Sequence, residues 1–367
     1  MRRGSSYSES YDVSTDGLTC TEQAWHIWVE QESTKRAAFF AFVMDAQHTS
    51  IFGHSAALSV SDLHLSLPCS AALWDAKTAS RWKAEKHRSE DPPSFLSALR
   101  DLLARRTLPS TWSPFARFVL LHGIFNITKH MQEKDLTTTE VNGVDLISDD
   151  ITKEKSWQEV LDRSIETWSL SLLSQQPSLC LEAARPLQRM AHITIYINLT
   201  DFHTFAKAPS LTGNRTGLQE YSKAKSRILR WSEKSVARRS LLHCLLLLQE
   251  TMFTRKRYQA CKDNIALRPW CLYHATLILW AYGVLKKCDQ QLQPAPPFLQ
   301  AEEYLAQMLN GLMSSEGVLP MAHRTHGLID TVRKSLVDCR WELLQEAHVT
   351  LGRLIDVEPT VTRYDAV

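Results

Sequence analysis

Glycine is scarce in this sequence, 12 residues in 367. That disfavours a fold made of many tight turns and points to long helices. The sequence contains no glycine-rich phosphate loop, no dinucleotide fingerprint, no G-x-S-x-G elbow and no H-E-x-x-H pair. Charge of one sign is also missing. The formal net charge of +2 is too balanced to mark a nucleic-acid-binding surface. The basic clusters at Arg2-Arg3, Arg105-Arg106, Arg238-Arg239 and Arg255-Lys256-Arg257 are short, and solvated helix faces or helix C-termini account for them. The eight cysteines include no C-x-x-C pair, which removes the zinc ribbon and the thioredoxin-like motif. Several lie in apolar helical runs, as Cys244 and Cys271 do, so buried reduced thiols in a reducing compartment are expected. The longest uncharged run, Pro269 to Leu285, falls short of the roughly 20 apolar residues of a membrane span. It contains His274 and reads as a buried core helix. The N-terminus has no apolar stretch, so no secretory signal is expected. The N-x-Thr triplets at Asn126, Asn198 and Asn214 are then chance matches.

What remains is a globular composition, 44% hydrophobic and 22% charged, organised at helical spacing. The predicted architecture is all-α, a large single domain of many packed amphipathic helices. Residues 1–20 read as a disordered polar tail and 357–367 as a C-terminal tail. The domain itself is expected over 21–356, with an internal loop at 134–154 and a proline-rich break at 291–300. A first helix should begin near Thr21 and end before Gly53. Leu63, Leu65 and Leu67 alternate before Pro68, which suits a short strand and an extended linker equally. Further helices are expected around Trp74 and Trp82, from Ser94, over Pro114 to Met131, and from Trp157. HITIYINLT, from His192, alternates as a strand would but lies in a helical stretch, Leu179 to Ala206, and is read as helix. Ile228, Leu229 and Trp231 open a run of helices that continues to the end of the domain, with RPWCLYHATLILWAYGVL central to the core.

Trp25, Trp28, Glu32, Arg36, Phe39, Phe40 and Val43 share helical spacing in the first helix. A carboxylate and a guanidinium thus lie in line with aromatic rings. Glu32 and Arg36 stand i, i+4 with the acid first, the favourable order for a pair within a helix. The pair reads first as a structural ion pair that orients the helix. The second reading makes Trp25, Trp28, Glu32 and Arg36 the face of a groove for an acidic or amphipathic partner helix. Catalysis ranks last, because no second carboxylate or nucleophile lies nearby. No catalytic residue and no metal ligand is assigned. Asp45, His48 and His54, and likewise His323 and His326, lie close in sequence but lack further ligands. Asp149-Asp150 is a thin trace of the acid cluster that an α-helical enzyme acting on an apolar substrate would carry. Trp270, Tyr273, His274, Trp280 and Tyr282 are candidate lining for an apolar ligand pocket, with plain core packing as the simpler account.

The first helix and the segment LSLPCSAALWDA together resemble the fungal-specific transcription factor domain, or middle homology region, of the type that accompanies two-Cys two-His zinc fingers. The positions that carry the resemblance are Trp25, Trp28, Glu32, Lys35, Arg36, Asp45, His48, Leu67, Pro68, Leu73 and Trp74. Later blocks agree in order: Ala224-Lys225 to Trp231, Ala237-Arg238-Arg239, RPWCLYHATLILWAYG and RWELLQEA. The resemblance implies an all-α, non-enzymatic regulatory domain in the nucleus. It would regulate RNA polymerase II transcription through protein partners of the transcription machinery or a small-molecule effector. The chain departs from the family in having no zinc-finger pattern, so zinc and DNA contact would belong to a separate region of a longer product. No cofactor and no membrane contact is expected. A second reading is a stand-alone regulator that titrates partners without binding DNA.

Overall fold

A computed structural model of the chain describes residues 17–142, 156–173, 175–206, 217–253, 257–287, 299–314, 319 and 322–357. Among them are fourteen α-helices and no strand, so the fold is all-α. In chain order these are α1 Gly17–Phe52, α2 Ala71–Trp74, α3 Ala79–Arg88, α4 Phe95–Leu103, α5 Pro114–Asn142, α6 Trp157–Leu170 and α7 Leu179–Thr194. They continue as α8 Leu199–Phe205, α9 Leu218–Glu233, α10 Ser235–Met252, α11 Arg268–Lys287, α12 Ala301–Met313, α13 His326–Ser335 and α14 Glu342–Val357. Many start on a side-chain cap. Ser70, Thr78, Ser94, Ser178 and Asn198 each accept a hydrogen bond from a first-turn N–H, which satisfies one of the orphan donors of a helix start.

Two long helices organise the packing. α5 lies against α1 and α7, and α11 lies against α7, α8, α9, α10, α13 and α14. From Trp270 to Tyr282 α11 is buried on every side, as a helix apolar all round must be.

Between α1 and α2 the chain runs as a strap, extended except for a 3-10 turn at Val60–Asp62 that Ser59 caps. Leu63 and Leu67 turn into the core while His64 and Ser66 face out. The strap touches the start of α4 through one isolated bridge, in which the Leu67 N–H donates to Pro93 O (2.9 Å) and the Phe95 N–H to Leu65 O (2.9 Å). The Leu63–Leu67 alternation therefore belongs to an extended linker lying on the core.

The structure moves several expected boundaries. Thr21 lies inside α1, not at its start, because threonine costs a helix interior only a fraction of a kcal/mol, ~0.5. α5 runs past Met131 to Asn142 and takes in the start of the expected 134–154 loop. Lengthening an established helix through Thr137, Thr138 and Thr139 is cheaper than nucleating a new one. Residues 143–154 lie outside the described residues, as do Asp149-Asp150, 291–298 of the proline-rich break, 1–16 and 358–367. Residues 17–20 and 357, assigned to tails, belong to α1 and α14. The stretch from His192 is helical only to Thr194, then turns and restarts at Leu199. Gln132 of α5 causes no strand to form there. Its Nε2 donates to Thr194 O (2.5 Å) and Ile197 O (3.0 Å), which satisfies the carbonyls freed at the break, and Asn198 caps the next helix.

Gly283 of α11 is a contact point. A Cβ there would lie 2.2 Å from Ala322 O and 2.8 Å from Ala322 C, both backbone atoms. Gly283→Ala is therefore expected to destabilise the fold by about 1–3 kcal/mol. Gly352→Ala in α14, where the nearest atom would be Arg333 Cδ at 3.8 Å, should be neutral or stabilising by about 0.4–1 kcal/mol. Urea unfolding of the two variants checks the contrast.

Candidate functional site

Glu32 is 3% exposed and its carboxylate is fully engaged. Oε2 pairs with Lys35 Nζ at 2.6 Å. Oε1 accepts from Arg36 Nε at 3.0 Å and from the Cys69 N–H at 3.0 Å. Both cations also reach the strap: Lys35 Nζ donates to Leu67 O (3.2 Å) and Ser66 Oγ (3.4 Å), and Arg36 Nη2 to Cys69 O (3.5 Å). One carboxylate and two cations on α1 thus hold the Leu67-Pro68-Cys69 turn from both its N–H and C=O sides. Burial pushes the Glu32 carboxyl up, but the Lys35 contact, the Cys69 N–H and the Arg36 charge outweigh it and hold the group below the usual carboxylate range. Burial, with the Glu32 charge adding to it, raises the Cys69 thiol to about 11, which leaves it a protonated, inert side chain.

The aromatic residues surround this clasp. The Arg36 guanidinium lies 4.1 Å from the Trp74 ring centroid and 5.6 Å from that of Phe115. Trp25 and Trp28 pack on Cys69, Leu73, Ala76 and Trp82, with the Trp28 and Trp82 rings 5.7 Å apart. Arg36 and the two tryptophans thus meet the same segment, residues 69–74, with Glu32 buried beside Arg36. Farther along α1, Asp45 accepts from the Ala57 N–H (3.0 Å) and Leu58 N–H (3.0 Å), and so fastens the start of the strap. Asn126 of α5 grips the same place, with Nδ2 on Leu58 O (2.8 Å) and Oδ1 on the Val60 N–H (3.1 Å). His48 rests on Phe52 and His54 (ring centroids 5.5 and 5.9 Å). Among the described residues no group of three or more His, Cys, Asp or Glu is placed to hold a metal ion.

The five α11 residues considered as pocket lining have ring neighbours. Trp270 meets Phe52 (5.2 Å) and Trp341 (6.0 Å), Trp280 meets Phe205 (5.4 Å), and Tyr282 meets Trp231 (6.1 Å). Tyr273 packs edge-on against Trp270 at 5.4 Å. His274 Nε2 lies 2.8 Å from His203 Nε2, so one ring donates and the other accepts. Burial drives His203 down to about 4 and, with His203 adding to it, His274 well below its ordinary range; both rings are neutral. Two cavities lie elsewhere. One of about 10 Å³ is lined by Thr49, Ser50 and Gln132 among others, and an open cleft of about 420 Å³ by Tyr258, Lys262, Lys334 and Asp338 among others. None of the five residues lines either.

A second polar cluster escaped the sequence reading. Asp162 of α6 is fully buried. It pairs with His192 Nδ1 of α7 (2.6 Å) and with Arg239 Nη1 of α10 (2.6 Å). His192 stacks on His243 at 4.1 Å with the rings 8° from parallel. Arg239 also reaches Glu166 (2.6 Å), and its neighbour Arg238 donates from Nη2 to Gly311 O (3.1 Å) and Leu312 O (3.0 Å) at the end of α12. The Arg238-Arg239 pair, expected to be solvated, thus ties three helices together, because its stems run along the α10 surface to carbonyl and carboxylate acceptors. The signal for the cluster was present. Asp162 shares a helix arc with Leu161, Ile165 and Trp168, as Glu32 does with rings on α1, and His192 and His243 lie in apolar runs. Their partners are 30 and more residues away, so spacing could not reveal the pairing.

Two measurements follow from these charges. Glu32→Ala should cost about 3–5 kcal/mol, since it strands a cation pair and the Cys69 N–H, and Arg36→Ala about 1.5–3 kcal/mol. The Glu32 contribution is present above the unfolded value of 4.5 and fades as pH falls through the lower folded value. The gap between wild type and Glu32→Ala should therefore close in acid. A gap that stays constant from pH 7 to pH 3 in chemical unfolding would contradict this. His243 also favours unfolding as pH falls, through a base kept neutral and not an acid kept charged. Burial first, then His192, Arg189 and Arg239, push it down to about 2, so the unfolded chain takes up its proton below the ordinary 6.5 while the folded protein does not. That costs about 1.4 kcal/mol per pH unit below 6.5. His243→Phe should flatten the loss of stability between pH 6.5 and pH 5 by that slope.

Zinc finger protein klf1 of Schizosaccharomyces pombe is 27% identical over 366 residues, 95% of this chain and 45% of that protein. The nicotinate catabolism cluster-specific transcription factor of Emericella nidulans is 25% identical over 379 residues, 96% of this chain and 42% of that protein. Zinc finger protein zas1 of S. pombe is 26% identical over 374 residues, 95% of this chain and 39% of that protein. The chain thus spans less than half the length of these relatives. No solved structure matches it. Among the described residues no helix is long and apolar enough to cross a membrane. The model of the fungal specific transcription factor domain matches residues 1–169, which hold α1, the strap and the clasp. Residues 1–169 are thus similar to the fungal specific transcription factor domain, the family that the Trp25–Trp74 pattern resembles.

Proposed function

We propose that residues 21–356 form the regulatory domain of a fungal transcription factor that acts in the nucleus on RNA polymerase II transcription. Its contacts are with protein partners of the transcription machinery, and DNA is read by zinc fingers in another part of a longer product. The observation that carries this reading is where the polar residues of the family pattern go. Glu32, Lys35, Arg36 and Asp45 hold backbone groups of the strap, and Arg238 holds the end of α12. Groups engaged in this way hold backbone in place, which is a structural part in a domain that acts through its surface. The names of the relatives support the same class. Protein contacts are favoured over a small-molecule effector because Trp270, Trp280 and Tyr282 of α11 pack on Phe52, Phe205 and Trp231 of other helices, and none of Trp270, Tyr273, His274, Trp280 and Tyr282 lines either cavity.

Fusion to an unrelated DNA-binding domain tests the proposal. Recruited to a reporter promoter in a fungal host, the chain should raise or lower transcription relative to the DNA-binding domain alone. Gly283→Ala, as a destabilised control, should weaken the effect in step with its loss of folded protein. A stably folded fusion that reaches the promoter and leaves transcription unchanged in both directions would refute a regulatory role for this region. A chain that instead dampens a full-length regulator only when expressed free of DNA would favour the titrating reading.

A further inference from the structure

The open cleft of about 420 Å³ lies between two segments far apart in sequence. One wall comes from residues 257–262, which end in a 3-10 turn, Ala260–Lys262. The other comes from residues 334–338, at the end of α13. The lining carries three cations, Arg257, Lys262 and Lys334, against one carboxylate, Asp338. Lys334 is already matched, with Nζ 2.6 Å from Asp330 Oδ2. Arg257 and Lys262 are exposed, and among the described residues no carboxylate pairs with either. The acid next to Lys262 is spent elsewhere. The Asp263 side chain is 2% exposed and takes Arg268 Nη1 (2.9 Å), the Tyr258 hydroxyl (2.7 Å) and the Ile265 N–H (2.9 Å). Those three bonds leave two cations unmatched and pin the wall that carries them. Arg257 closes the basic run Arg255-Lys256-Arg257, but it lies on no helix and its place is the cleft. On the opposite wall Asp338 has a positive φ of 66°, which a residue other than glycine seldom takes. Its neighbour Cys339 is buried and accepts from Gln345 Nε2 at 3.2 Å, so packing holds the turn that brings Asp338 to the cleft.

We propose that this cleft binds a small anionic metabolite that carries a carboxylate or phosphate for Arg257 and Lys262 and a hydroxyl or ammonium donor for Asp338. A guanidinium makes a two-pronged match to either anion, and the Lys262 ammonium adds a point charge beside it. Asp338 repels a ligand that is anionic throughout, which is why a donor belongs to the fit. The volume lies within the range of small-molecule sites, roughly 300–1,000 Å³. An apolar ligand would find Val337 and the Tyr258 ring and little else. A DNA duplex needs cations spread along its phosphates, and here the unmatched charge is gathered at one place. The site is separate from the α11 rings and does not rest on the transcriptional reading.

Isothermal titration calorimetry of the full chain in low salt, with citrate and with glucose 6-phosphate as probes, tests this. At least one probe should bind saturably, one per chain. Arg257→Ala and Lys262→Ala should each weaken that binding at least about ten-fold, as the loss of a charge-assisted hydrogen bond does. The helical circular dichroism should not change, because both side chains are exposed. Arg257→Lys, which keeps the charge and loses the fork, should fall between wild type and Arg257→Ala. Lys83→Ala on α3, an exposed cation that does not line the cleft, should bind as wild type does. Failure of both probes to bind saturably would overturn the proposal. So would binding that survives both alanine variants, which would mark an adventitious ion only. A short DNA duplex or a glutamate-rich peptide that binds through Arg257 and Lys262 where both probes fail would assign the cleft to a macromolecule instead.

Discussion

One buried carboxylate organises the N-terminal half of this molecule. Glu32 lies on a helix face that is otherwise aromatic, and a lone charge there would cost several kcal/mol, on the order of 3–5. The fold meets that cost with two cations one helical turn away and one backbone N–H from the far side of a turn. The arrangement works in both directions. Glu32 needs the Leu67-Pro68-Cys69 turn for its third hydrogen bond, and the turn needs Glu32 because Pro68 has no N–H to donate and the extended strap has no neighbouring strand. Lys35 and Arg36 complete the exchange by taking the carbonyls of Leu67 and Cys69. The strap is extended chain with one 3-10 turn, Val60–Asp62, held by side chains of α1 and α5 and by one backbone bridge to the start of α4.

The same solution recurs where α6, α7 and α10 meet. Asp162 is buried among apolar residues and is met by His192 and Arg239 from two other helices. Arg238, one position along, closes the end of α12. In both places a buried acid fixes the relation of elements distant in sequence. Such groups add little to net stability compared with apolar replacements, but they penalise any alternative packing in which they lose their partners. A domain made mostly of leucine-rich helices has many near-equivalent ways to pack, and these clusters select one.

The helices themselves were legible because periodicity is a local signal. The spacing of Phe95, Leu99 and Leu102, or of Trp157, Leu161, Ile165 and Trp168, needs no knowledge of the partner. The end of α1 at Gly53 was equally plain, since Gly53 takes a positive φ of 74° that suits glycine. Ends decided by tertiary contacts were not. The break after Thr194 depends on Gln132, some sixty residues earlier, and the length of α5 depends on elongation outweighing three threonines. At the site, the i, i+4 relation of Glu32 and Arg36 could be read directly, but the part played by Cys69 and Leu67 could not. Backbone groups carry no sequence label. For the same reason the α11 aromatics are ambiguous in sequence: core rings and pocket rings are the same residues, and only their neighbours distinguish them.

The central claim is that side chains of α1 and α5 hold the strap as firmly as a sheet would. Native-state hydrogen exchange reads this residue by residue. The N–H groups of Ala57, Leu58, Val60 and Cys69 have side-chain acceptors and no strand partner. The account predicts that all four exchange only through the opening that also exposes the middle of α1, with protection close to that of Phe42 and Val43. If these amides exchange at the rate of an unstructured loop while α1 stays protected, the clasp is an ornament on the helix, and the family pattern must be explained by what binds to it.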